Sequence, residues 1–193
     1  MLKARQCLRD IREYHSPLSQ GDFELRLDMN ESTTGCSPRV LARLQHMDAK
    51  KLALYPPREA GEAVVAALLG KSATQVLLTN GVDEGIDLLC RTYLEPGDEV
   101  ILIVPTFAMY EIFAQVTGAK VVRVATTAEE DFAFPADKVL QAINPRTKLI
   151  VITNPNNPTG IAVDRYTITR IAQAAQDDTG CVTTDRRRYP LPT

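Results

Sequence analysis

Two hydrophobic rhythms alternate along the second half of this chain. Short, nearly continuous apolar runs at 75–79, 99–104, 120–124, 148–153 and 181–184 have the pattern of strands buried on both faces. Between them, 83–93, 109–117, 136–143 and 164–176 carry apolar residues at helical spacing. Gly118 closes the second helix, and Pro96-Gly97-Asp98 marks a turn. Strands alternating with helices predict right-handed βαβ units, hence an α/β fold with a mainly parallel sheet and flanking helices. The first part is more polar. Residues 25–29 alternate like a short strand, and Ser37-Pro38 starts a helix running to about residue 47. Tyr55-Pro56-Pro57 is held extended by its prolines, and 59–69 forms a helix stopped by Gly70.

Composition narrows the class. Charged residues make up 24% and hydrophobic residues 45%, as in globular domains, and the net charge of -2 gives no reason to expect a nucleic acid or an anionic membrane as partner. No apolar run is long enough to span a bilayer, and charges at Arg9, Asp10, Arg12 and Glu13 interrupt any signal-peptide core. Cys7, Cys36, Cys90 and Cys181 are scattered without metal-ligand spacing, so we expect free thiols, a cytoplasmic protein and no metal site.

Three strand-to-helix turns carry candidate chemistry. Asn154-Pro155-Asn156-Asn157-Pro158-Thr159-Gly160 follows the 148–153 run and presents asparagines at the carboxyl end of a strand, where open α/β sheets bind ligands. Thr79-Asn80-Gly81-Val82-Asp83-Glu84-Gly85 opens a helix. Its free N–H groups suit a phosphate, with Gly81 permitting close approach; Asp83 and Glu84 equally suit simple helix capping. Pro105-Thr106-Phe107 follows the 99–104 strand and places an aromatic ring at the same edge.

Together these segments resemble fold-type I, class I/II, pyridoxal phosphate (PLP) aminotransferases, most closely the histidinol-phosphate aminotransferase group. The resemblance implies PLP as cofactor. It assigns Gly81, Val82 and Asp83 to the phosphate cradle, Phe107 to stacking on the pyridine, and Asn157 to the phenolic oxygen. Asn154 and Asn156 then serve the turn itself. By spacing from Asn157, Asp185 matches the aspartate that pairs with the pyridine nitrogen. Tyr55, in Leu54-Tyr55-Pro56, resembles a tyrosine that reaches the phosphate of a partner subunit, which implies a homodimer; an exposed Tyr-Pro loop is the other reading. Asn30-Glu31 is similar to a segment near substrate. The implied activity is transamination between glutamate and an imidazole keto-phosphate, that is, interconversion of imidazole-acetol phosphate and histidinol phosphate in histidine biosynthesis.

Departures from the pattern matter for mechanism. No lysine follows Lys148. The lysine that holds PLP as a Schiff base and the arginine for the substrate carboxylate belong to segments not found here, so no catalytic residue is assigned and we expect an inactive fragment. Where the family continues with Glu-Ala-Tyr after the aspartate, this chain has Arg186-Arg187-Arg188 and two prolines, a solvated tail or the mark of a frameshift. The resemblance divides the chain into an N-terminal arm with part of the small domain (1–50), part of the PLP-binding large domain (51–185) and a divergent tail (186–193). Such a sheet is expected to lack cover over residues such as Val151 and Val182. Rival readings are a phosphothreonine decarboxylase-like or aromatic aminotransferase-like enzyme, a non-catalytic remnant, and a plain phosphate- or nucleotide-binding module; absence of GxGxxG and Walker strings disfavours the last.

Overall fold

The computed structural model describes residues 3, 5–9, 11, 32, 34–175 and 180–185, with backbone only for 180–185. The chain forms two compact units, one of residues 14–79 and one of residues 1–13 with 80–193.

The 14–79 unit is helical where described. Helix α1 (Pro38–Gln45) starts as its sequence predicts, with Pro38 in the first turn and the Ser37 hydroxyl accepting the Arg39 N–H. A short α2 (Ala49–Leu52), not anticipated from the pattern, is capped by Asp48, which accepts the Lys50 N–H at 2.8 Å. Helix α3 (Arg58–Leu69) ends on Gly70 in the left-handed conformation, φ +62°. The strand expected at 75–79 is absent. A 3-10 turn covers Ala73–Gln75, and 76–79 forms no strand among the described residues. Its consecutive apolar residues Val76, Leu77 and Leu78 satisfy the buried-strand pattern, but a strand also needs a neighbour for its backbone groups. The Leu78 N–H is taken instead by the Glu62 carboxylate on α3, at 3.1 Å. The segment expected at 25–29 lies outside the described residues.

The second unit is the α/β layer. In chain order it runs α4 (Gly81–Tyr93), β1 (Glu99–Val104), α5 (Met109–Thr117), β2 (Lys120–Ala125), α6 (Ala136–Ala142), β3 (Thr147–Asn154), α7 (Arg165–Ala174) and β4 (Gly180–Asp185). The strands form one sheet in the order β2-β1-β3-β4, every pairing parallel. Side chains alternate across it. Val100 and Leu102 of β1, with Leu149 and Val151 of β3, pack on Ile86, Cys90, Tyr110 and Ala114 of α4 and α5. Ile101, Ile103, Ile150 and Ile152 face the other way, onto Val139 of α6 and Ile171 of α7. Burial on both faces is why β1 and β3 read as unbroken apolar runs. It also corrects the expectation for Val151, which is 7% exposed beneath α4 and α5. Side chains in β4, Val182 included, lie outside the description.

At the amino edge of the sheet, the buried Glu99 carboxylate accepts bonds from Asn144 Nδ2 (2.8 Å) and Arg146 Nε (3.0 Å) and pairs with Lys120 Nζ (3.4 Å). Hydrogen bonds from Asn144 first, then Arg146, hold its pKa at about 2, against burial acting in the opposite direction.

Candidate functional site

The carboxyl edge of the sheet gathers three of the predicted residues. Phe107 follows β1, Asn157 follows β3, and Asp185 ends β4. These strands are neighbours, and Asn154 stands opposite Asp185 in the parallel register. Helix α4 belongs to the same unit, joins β1 through residues 94–98, and packs Ile86 and Cys90 on the cluster that holds Val100, Leu102 and Val151.

In the first turn of α4, Gly81, Val82 and Asp83 are all exposed. Gly81 has φ +76° with nothing within 4 Å of where a Cβ would stand. Glu84 folds back to accept the Asn80 N–H, so capping is performed by Glu84.

The two loops are rigidly built. Asn154 Nδ2 donates to the Val163 carbonyl at 2.9 Å, and its Oδ1 accepts the Val163 N–H at 3.0 Å. Asn156 Nδ2 donates to the Pro105 carbonyl and to Thr159 Oγ1, both at 2.9 Å. Its Oδ1 accepts from Thr106 Oγ1 at 2.9 Å, and that hydroxyl lies 3.0 Å from Thr153 Oγ1. Asn154 and Asn156 thus organise the turn, as their sequence context suggests. Thr106, Thr153 and Thr159 had no assigned role in the sequence; a hydroxyl beside each strand end was the available signal.

Asn157 is half-buried, and its side chain makes no hydrogen bond to another residue among those described. The ring of Phe107 is half-buried too. It packs against the α4/α5 cluster and meets Tyr110 edge-on, centroids 6.0 Å apart at 88°. The residue types fit a group carrying both an anion and a flat polar ring: an exposed helix start at Gly81, an aromatic face after β1, and after β3 an Asn157 amide with no side-chain partner among the described residues. Tyr55 lies in the other unit and is fully exposed. Asn30 lies outside the described residues. Among the described residues no cluster suited to a metal ion occurs, and no helix is long and apolar enough to cross a membrane.

Known aminotransferases share this arrangement. The family pattern described as Aminotransferase class I and II matches residues 24–186. A histidinol-phosphate aminotransferase of Moorella thermoacetica is 34% identical over 171 residues, 83% of this chain and 43% of that protein. The N-succinyldiaminopimelate aminotransferase of Mycobacterium tuberculosis superposes with a TM-score of 0.69 at 28% identity, over 76% of this chain and 41% of that one. The histidinol-phosphate aminotransferase of Sinorhizobium meliloti in complex with pyridoxal-5'-phosphate gives a TM-score of 0.72 over 80% of this chain and 42% of that one; at 22% identity it speaks to the fold alone. The chain spans less than half the length of these relatives. The matched span takes in every strand of the sheet, the turns after β1 and β3 and the start of α4, and by it the chain belongs to the class I and II aminotransferase family.

Proposed function

We propose that this chain forms the cofactor-binding edge of a PLP-dependent aminotransferase acting on histidinol phosphate or imidazole-acetol phosphate, with glutamate or 2-oxoglutarate as the other partner. The observation that carries the reading is that Phe107, Asn157 and Asp185 stand at the carboxyl ends of adjacent parallel strands, in one compact unit with the exposed first turn of α4. PLP, when bound, supplies an electron sink for the bond broken at the substrate Cα.

The chain's own residues hold and orient that group. N–H groups of Gly81, Val82 and Asp83 receive the phosphate dianion, aided by the α4 dipole. Phe107 offers its face to the ring. Asn157 donates its amide hydrogen to the phenolic oxygen, and Asp185 keeps the ring nitrogen protonated by accepting its hydrogen bond. In the same reading Tyr55 reaches the phosphate of a second subunit in a homodimer, and Asn30 lies near substrate. Residues 1–50 are then arm and small-domain sequence and 51–185 part of the large domain. The relatives named histidinol-phosphate aminotransferase favour the imidazole substrate. A second reading, a chain that binds PLP without turning over alone, is favoured by the absence of lysine after Lys148 in these 193 residues.

The test is titration of the purified chain with PLP, followed by ring absorbance and fluorescence. Saturable binding is expected, weakened about tenfold by Asn157→Ala, the loss of one hydrogen bond to a charged group. No saturable binding, or an Asn157→Ala variant that binds equally well, would overturn the reading.

A further inference from the structure

We infer that Asn156 is a positioning residue that locks the Phe107 loop to the Asn157 loop, so that one amide sets the spacing between the stacking ring and the phenolic-oxygen donor; in that second clause the inference rests on the PLP reading above. A turn residue needs partners only within its own turn. Asn156 has them: its N–H donates to the Ile161 carbonyl at 2.8 Å, its carbonyl accepts the Gly160 N–H at 2.7 Å, and Nδ2 donates to Thr159 Oγ1. The same side chain also crosses to the other loop. Nδ2 donates to the Pro105 carbonyl, and Oδ1 accepts the Thr106 hydroxyl. These contacts span about fifty positions of sequence and flank Pro105-Thr106, the two residues before Phe107. Thr153, at the end of β3, lies against the Thr106 hydroxyl from the strand side.

The geometry is selective for asparagine. One face of the side chain must donate, to a carbonyl and a hydroxyl, while the other must accept from Thr106 Oγ1. Aspartate has no donor for the Pro105 carbonyl and would set a carboxylate against it. Threonine 106 is matched in turn. Serine in its place keeps the hydroxyl, whereas valine keeps the shape and loses the donor.

Amide hydrogen exchange on the full chain tests the lock without cofactor. Tyr110, the second residue of α5, donates its N–H to the Phe107 carbonyl, so its exchange reports on the Phe107 loop. Asn156→Ala and Thr106→Val should each speed its exchange about tenfold, the loss expected from one or two net hydrogen bonds. Thr106→Ser should restore the wild-type rate. Faster exchange confined to Gly160, with Tyr110 unchanged, would make Asn156 a turn residue only and overturn the inference. A second readout uses PLP at saturation: the ring circular dichroism per bound PLP should fall in Asn156→Ala and Thr106→Val and return in Thr106→Ser. Unchanged dichroism in the two damaged variants overturns the positioning role. A wild-type chain that binds no PLP defeats the cofactor reading, and the lock then stands or falls on Tyr110 exchange.

Discussion

Asn154 holds Val163 at both of its backbone polar groups, donating to the carbonyl at 2.9 Å and accepting the N–H at 3.0 Å. One side chain thus closes the 155–162 loop as a strand partner would, where no strand is available. Val163 is 8% exposed, so both groups would be left without water if released. Asn154→Ala should destabilise the chain by about 2–4 kcal/mol, from two buried backbone groups losing partners. Denaturant unfolding measures it, and Val163 amide exchange localises it. Asn154→Asp retains the acceptor, so it should keep the Val163 N–H protected while losing the bond to the carbonyl. Equal exchange in the two variants would contradict this division of labour.

Glu99 gives the fold a defined acid sensitivity. Its pKa is lowered from 4.5 to about 2, chiefly by hydrogen bonds from Asn144 and Arg146. A depressed carboxylate contributes stability that is complete above the unfolded value and disappears as pH falls through the folded one. The contribution should therefore fade between about pH 4.5 and pH 2. Exposure of Arg146 and Lys120 screens part of it, leaving about 1–2 kcal/mol. Glu99→Gln should lower stability by that amount at pH 7 and flatten the dependence in this window. Unfolding curves of both proteins between pH 2 and pH 7 provide the comparison, and parallel curves would rule out Glu99 as the source.

Much of this architecture is legible because burial on two faces leaves a strong trace. β1 and α5 begin and end where their apolar runs and the closing Gly118 place them. The 76–79 segment misled because the run Val76-Leu77-Leu78 is apolar without being buried, and pairing in a ladder is a property of the rest of the fold. The α2 turn depends on a local bond from Asp48 and has too few residues for a periodic signal. At the site, Phe107, Asn157 and Asp185 are each readable beside a strand end. The tie between Thr106 and Asn156 is not, since it joins segments whose proximity exists only once β1 and β3 pair.

Gly81 can be tested for backbone rather than space. Nothing crowds its missing Cβ, so Gly81→Ala costs only the strain of a left-handed residue at φ +76°, about 1 kcal/mol. Under the phosphate reading the altered turn should also bind anions less well. Addition of inorganic phosphate should raise the wild-type melting temperature and raise that of Gly81→Ala less. An equal shift in both would mean that the anion binds elsewhere.

Reduction chemistry bears directly on whether this chain alone can turn over. A lysine that served PLP would have to stand at the carboxyl edge with Phe107 and Asn157. Lys148 is the second residue of β3, six positions before Asn154, which at about 3.3 Å per residue sets it roughly 20 Å down the strand. Lys120 begins β2 and pairs with Glu99 at the amino edge, and Lys138 on α6 pairs with Glu130. These three lysines of the α/β layer are held at a distance from the edge or in an ion pair. Borohydride treatment of the PLP-loaded 193-residue chain, followed by peptide mapping, should therefore yield scattered substoichiometric adducts. The same preparation should form no 2-oxoglutarate from glutamate and imidazole-acetol phosphate above a free-PLP control. A single stoichiometric phosphopyridoxyl-lysine would show that a lysine within these residues reaches the cofactor. Mapping it would then identify which strand or helix has to move to bring it there.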